Sequence, residues 1–307
     1  MTQILQKRAP ALSVRAGYLA RQLIKKEGLQ ASFVDTIPGA AGGPKGIGIQ
    51  GLDQAIFGDF FAQAPQRRTL IGSSIGSWRF ASILAWGAKE GTERLSELYT
   101  NLYFHKKMSR QDVGNICRGM LIDLIQGKEQ QLVNHPDYHL TVISIKAQHI
   151  FQSDKSFPLL ASIAGIVGSN ALGRKHNRLF MQRVISQPSS GQQFKVEDDF
   201  VTHYQTLNSD NVTPWLMASA SIPGVMAAIR DIPDAPKGSY RDGGLIDYHI
   251  DLPFESQGIV LYPHFSDRIT PGWFDKMFKN RKANPENQAR TLLLSPSAEY
   301  LQSLPLG

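Results

Sequence analysis

The sequence predicts an α/β protein built on a mostly parallel sheet. Three observations carry that expectation. The run Ser32-Phe33-Val34-Asp35-Thr36-Ile37 has strand character and is followed, after a turn at Pro38-Gly39 and a glycine-rich loop, by a helical stretch over residues 47–56. The apolar run Thr69-Leu70-Ile71 reads as a second strand and leads into a helical stretch over residues 76–86. At 307 residues and 42% apolar content, the chain is long enough to bury one large core.

Residues 1–30 are expected to be a helical lead-in, with Arg15, Arg21, Lys25 and Lys26 on a basic surface helix over residues 14–26. Residues 1–10 carry Lys7 and Arg8 but no apolar core of a secretory signal. The loop Ala41-Gly42-Gly43-Pro44-Lys45-Gly46 comes next. Its glycines let backbone N–H groups converge on one point, as in an anion-binding nest at a helix start. Acyl transfer needs such donors for the oxyanion of its tetrahedral intermediate, and losing one costs about 3–4 kcal/mol in the transition state. A phosphate loop or a plain turn is the other reading; the chain has neither G-x-x-x-x-G-K-[ST] nor G-x-G-x-x-G here.

Gly72-Ser73-Ser74-Ile75-Gly76 then matches G-x-S-x-G at the end of a strand. A sharp strand-to-helix turn holds such a serine hydroxyl out at the top of a sheet, and the flanking glycines leave room for the tight backbone. The helix dipole behind it favours negative charge beside Ser74. Residues 157–172 form an apolar stretch interrupted by Pro158, Gly165 and Gly168, readable as a lid, an acyl-pocket wall or a buried helix. It is too short to span a bilayer. Residues 185–212, rich in Gln and Ser, read as a loop or hairpin insertion. Ala218-Ser219-Ala220-Ser221-Ile222-Pro223-Gly224 precedes Tyr240-Arg241-Asp242-Gly243-Gly244. Asp242 there is either a turn residue or a general base for Ser74, with a pKa tuned by its surroundings.

Taken in order, these three blocks resemble the patatin-like phospholipase family, whose oxyanion loop reads G-G-G-x-[RK]-G, followed by G-x-S-x-G and a late D-G-[GA]. Gly51-Leu52-Asp53-Gln54-Ala55 and the segment 218–223 are also similar to that family, and the resemblance covers about residues 32 to 254. It implies a three-layer sandwich with a central, mostly parallel sheet, and a lipid acyl hydrolase of phospholipase A or lysophospholipase type. It implies a Ser74–Asp242 dyad without histidine and an oxyanion hole from Gly42 and Gly43. Of the residues beside these motifs, Ile75 is a further candidate for contact with substrate through its backbone N–H, and Lys45 either attracts a lipid headgroup phosphate or faces solvent. Two departures stand out. Ala41 replaces the first loop glycine, and the segment after Gly244 lacks the family's asparagine and reaches its proline late, at Pro253.

Two alternatives stay open. Ser74, Asp242 and then His249 or His264 satisfy the chain order of an α/β-hydrolase triad, and a catalytically inactive lipid-binding protein could share the fold. In domain terms, residues 1–30 lead in, 31–255 carry the catalytic motifs and 256–307 form a C-terminal extension. That extension holds Trp273-Phe274-Asp275-Lys276-Met277-Phe278-Lys279, where Trp273, Phe274, Met277 and Phe278 would share one face of an interfacial or core-packed helix. The net charge of +7 points to acidic partners. No nucleic-acid motif appears, so a lipid ester substrate and peripheral contact with an anionic membrane are the expectation. The single Cys117 excludes an intramolecular disulfide and suits a cytoplasmic setting, while export without a signal peptide leaves no mark in a sequence. No metal or cofactor is implied.

Overall fold

The computed structural model describes residues 10–305. In chain order it contains β1 (Leu12–Ala16), α1 (Tyr18–Glu27), β2 (Val34–Gly39), α2 (Gln50–Gln54), β3 (Arg68–Ser73), α3 (Ile75–Trp86), α4 (Ala88–Thr100), α5 (Arg110–Ile125) and α6 (Glu129–Val133). There follow β4 (Tyr138–Ala147), α7 (Ser156–Leu172), β5 (Met181–Gln187), β6 (Thr202–Thr206), α8 (Val212–Ser219), β7 (Tyr240–Asp242), β8 (Ile259–Pro263), β9 (Thr291–Pro296) and α9 (Ala298–Gln302). The strands form one sheet in the order β1-β9-β8-β2-β3-β4-β5-β6, with β7 pairing β4 off that path. The central pairs β9-β8, β8-β2, β2-β3 and β3-β4 are parallel, as is β5-β6; β1, β5 and β7 join antiparallel to their neighbours β9 and β4.

Strand pleating distributes the core to both sides of this sheet. Leu70, Leu140 and Val142 enter the larger core with α3, α5, α6 and α8. Their sequence neighbours Ile71 and Ile143 point to the opposite face, where Ile145 and Met181 meet Leu159 and Ile166 of α7. Helices therefore cover both faces, and the architecture is an α/β three-layer sandwich.

Several sequence expectations are corrected. The lead-in opens on the edge strand β1, so Arg15 lies in a strand and the basic helix is confined to Tyr18–Glu27. Residues 1–9, with Lys7 and Arg8, lie outside the described residues. Pro38 and Gly39 belong to β2, opposite Ile71 and Gly72. β8 pairs only with Val34 and Thr36, so the strand has one neighbour by Pro38 and the missing N–H is tolerated. Residues 47–56 are not one α-helix. A 3-10 segment, Gly43–Ile49, leads into α2 and then a π-helical stretch, Ala55–Phe60.

Residues 185–212 are no hairpin, since β5 and β6 run parallel. Their connection folds back on itself: Gln187 Nε2 donates to Phe194 O and Arg183 grips Asp198, which returns the chain to the start of β5. The segment 256–307 is no appendage either, because it supplies β8 and β9 to the central sheet. Cys117 is a buried core thiol whose pKa burial pushes up. Among the described residues, no helix is long and apolar enough to cross a membrane.

Two buried arginines, one paired with a single carboxylate and one with two, brace the elements around the site. Arg79 of α3 donates to both carboxylate oxygens of Asp53 at 2.9 and 2.7 Å, tying α3 to α2. Arg183 of β5 donates to Asp247 at 2.6 and 3.0 Å and to Asp198 at 2.9 and 2.8 Å.

Candidate active site

β4 acts as the ruler that brings two distant residues together. Ser73, the last residue of β3, lies opposite Ile143, and Asp242, the last of β7, lies opposite Ser144. Ser74 follows Ser73, so the two side chains meet over one end of β4. Ser74 Oγ donates to Asp242 Oδ2 at 2.8 Å, and the N–H of Gly244 donates to Oδ1 at 2.7 Å.

The turn at Ser74 is sharp, with φ 55° and ψ −127° at a non-glycine residue. Such backbone costs on the order of 1–3 kcal/mol and persists only when its surroundings fix it. Here they do. The Ser74 N–H donates to Ser219 Oγ at 2.9 Å, and that hydroxyl donates to Ile143 O at 2.6 Å. The Ser74 carbonyl accepts from Ser77 N–H at 3.0 Å and Ser77 Oγ at 2.7 Å. The flanking glycines are required by contact. A Cβ on Gly72 would lie 2.4 Å from Ser77 Cα, and one on Gly76 would lie 1.9 Å from Gly39 O. Replacing Ser219 with alanine orphans a buried N–H at this strained turn. We expect a loss of about 1–3 kcal/mol in stability, measured by urea unfolding, together with a fall in activity; unchanged stability would show that the turn does not lean on Ser219.

Ala41, Gly42, Gly43, Pro44, Ser74 and Asp242 border one cavity of about 490 Å³, within the usual size range of small-molecule sites. The Ala41 N–H donates to Tyr248 O, whereas the N–H groups of Gly42 and Gly43 have no acceptor among the described residues. Two backbone donors without a recorded acceptor therefore belong to residues that border the same cavity as Ser74. Apart from Tyr248 and Lys276 the rest of the lining is apolar, with Ile163, Ile222, Val225, Leu245, Trp273 and Phe274 among its walls.

The other candidate residues fall elsewhere. Lys45 does not line this cavity. Its ammonium sits 5.9 Å from the Phe265 ring centroid, and it borders a neighbouring cavity instead. Lys276 takes the place expected for Lys45: it lines the Ser74 cavity, with Nζ 3.8 Å from the Tyr248 ring centroid. The Ile75 side chain faces Gly46 rather than the cavity. Residues 273–282 are not an amphipathic helix but a short 3-10 turn, Trp273–Met277, in which Phe274 is buried while Trp273 and Met277 are exposed. Asp275 sets that shape: it is buried, accepts from Asn170 Nδ2 at 2.9 Å and pairs with Arg281 at 2.8 Å, which turns the chain back.

Neither histidine of the triad alternative reaches the dyad. His249 Nδ1 accepts from Thr270 N–H at 3.0 Å and His264 Nδ1 from Ser266 N–H at 2.8 Å, and neither Nε2 has a partner among the described residues. Burial pushes His249 down to about 2, helped by His264, and His264 down to about 3. Both rings are neutral packing groups behind the loop that carries Gly42.

Burial pushes Asp242 up to about 7, against the opposing pull of the Ser74 hydroxyl, the Gly244 N–H and the Lys276 charge. Burial, with Lys45 nearby, pushes Lys276 down to about 8. The arrangement thus holds a hydroxyl on a carboxylate whose proton affinity suits neutral pH, two N–H donors and an apolar chamber. Ser219 and Lys276 escaped sequence reasoning. Ser219 acts through backbone partners, the Ser74 N–H and the Ile143 carbonyl, and the Lys276 position depends on the Asp275 pairings. No protein-family model matches this chain, and no curated protein matches it.

Proposed function

We propose that this chain is a serine hydrolase of lipid acyl esters, related in its motif order to patatin-like phospholipases. The 2.8 Å hydrogen bond from Ser74 Oγ to Asp242 carries the proposal. In the reaction, Ser74 Oγ attacks the ester carbonyl while Asp242 takes its proton. The N–H groups of Gly42 and Gly43 receive the oxyanion. Asp242 returns the proton to the leaving alkoxide as the tetrahedral intermediate collapses to an acyl-serine. Water, deprotonated by the same carboxylate, releases the fatty acid and regenerates Ser74. The apolar walls from Ile163 to Phe274 suit an acyl chain, and Lys276 at the rim suits an anionic headgroup.

Long-chain phospholipid, lysophospholipid and triacylglycerol offered side by side test the reading. The expected result is free fatty acid from at least one of them with the wild-type protein and none with Ser74→Ala. Equal release by the variant would refute it.

Because Asp242 must be ionised to act as base, kcat/KM is expected to rise with pH through about 7 and then level, its proton being lost above that point. Lys276→Gln removes a cation that favours the carboxylate, so the rising limb moves to higher pH. A limb centred in the ordinary carboxylate range would contradict the burial of Asp242 as its tuning force.

A further inference from the structure

We propose that the outer face of α7, continuous with the rim of the Ser74 cavity, is the surface by which this protein docks on an anionic lipid bilayer. α7 carries no charged residue along its whole length. Its inner face buries Leu159, Ser162, Ile166 and Asn170, with Leu159 and Ile166 packed against Ile145 and Met181 of the sheet. Its outer face holds Phe157 at 82%, Leu160 at 67% and Leu172 at 82% exposure. Large apolar side chains grouped this way on a water-facing helix mark an interaction surface. The helix is not long and apolar enough to cross a membrane, so it would lie on one.

The patch leads into the cavity. Ile163, between the two faces of α7, lines it together with Val225 and Trp273, themselves 50% and 43% exposed. Arg110 fastens this rim, donating to Gly224 O on one side and to Asp154 O and Ser156 Oγ at the start of α7 on the other.

Charge selects the occupant. No acidic residue occurs between Lys155 and Val196, while Lys155, Lys175 and Arg178 stand exposed at the two ends of α7. The carboxylates packed nearest are already neutralised: Asp154 by Arg230 and Arg241, Asp275 by Arg281. A second copy seated symmetrically on this face would gather the basic residues of both copies around one apolar patch. Anionic headgroups above a hydrocarbon layer meet both the apolar face and its basic flanks. The surface stands on geometry and charge; its use in delivering substrate to Ser74 rests on the hydrolase reading.

Flotation of the full chain with phosphatidylglycerol and with phosphatidylcholine vesicles tests it. Wild-type protein is expected to float with the anionic vesicles and less with the neutral ones. Phe157→Ser/Leu160→Ser and, separately, Lys175→Glu/Arg178→Glu are expected to weaken anionic-vesicle binding at least about tenfold. Both double variants should cleave a water-soluble short-chain ester at the wild-type rate. Wild-type protein that stays off phosphatidylglycerol vesicles, or variants that bind as tightly as wild type, would overturn the proposal. So would a wild-type dimer in solution that Phe157→Ser/Leu160→Ser dissociates. Intact vesicle binding by a wild-type protein that cleaves no ester would remove the hydrolase reading and leave the docking surface standing.

Discussion

Asp242→Asn is expected to lower kcat/KM on a water-soluble ester by about 10³–10⁴-fold, the upper range for loss of a general base, and at the same time to stabilise the protein at pH 8. The two effects share one cause. The folded-state pKa of Asp242 is about 7 against an ordinary value of 3.8. Below pH 3.8 both folded and unfolded chains hold the proton and the group is neutral toward stability. As pH rises from there, the unfolded chain ionises first, so folding is penalised; the penalty is complete above about 7. At about 1.4 kcal/mol per unit its ceiling is near 4 kcal/mol. An amide carries no such penalty but makes weaker hydrogen bonds to Ser74 and Gly244, which reduces the expected gain to about 1–3 kcal/mol. Thermal melts should therefore show Asp242→Asn a few degrees above wild type at pH 8, with the gap closing toward pH 4. A variant of unchanged activity would remove Asp242 from the chemistry. A variant destabilised at pH 8 would mean that its carboxylate is not held under strain.

The second large effect is structural. Asp247→Ala leaves the fully buried Arg183 guanidinium with Asp198 as its remaining carboxylate partner. Breaking a buried pair on one side costs about 3–5 kcal/mol, since the surviving charge stays desolvated. The urea midpoint should fall accordingly. Asp247 lies in the turn that follows Asp242, and Arg174 also reaches Asp247 and the Ile246 carbonyl. Loosening that turn is expected to reduce activity as well. Arg183→Met/Asp247→Leu should recover part of the lost stability, as apolar replacements of buried pairs do. A midpoint unmoved by Asp247→Ala would show that the network does not hold this turn.

The parts of the fold written in local patterns were legible. The strand ending at Ser73, the glycines at 72 and 76 and the helix after them follow from short-range sterics, and they sit as expected. The meeting of Ser74 and Asp242 was legible only through the order of the motifs and the family resemblance it carries, because the register that joins them belongs to β4. What the sequence hid was long-range. β8 and β9 are short runs inside a proline-containing tail, and only pairing with β2 and β1 makes them sheet. The parallel return of β6 to β5 depends on Gln187 and Asp198 contacts that no periodicity announces. The exchange of Lys45 for Lys276 at the cavity has the same origin, since Lys276 is brought there by a turn pinned through Asp275, Asn170 and Arg281. In α7, apolar composition pointed to burial, yet only one side is buried.

Covalent labelling decides whether Ser74 is a nucleophile. A fluorophosphonate forms a covalent phosphonyl ester with an activated serine, and intact-mass and peptide mass spectrometry locate the adduct. One adduct per chain is expected on Ser74 in wild-type protein, formation accelerating with pH through about 7 as Asp242 ionises, and none in Ser74→Ala. Wild-type protein left unmodified, or an adduct that forms equally in Ser74→Ala, would contradict that role.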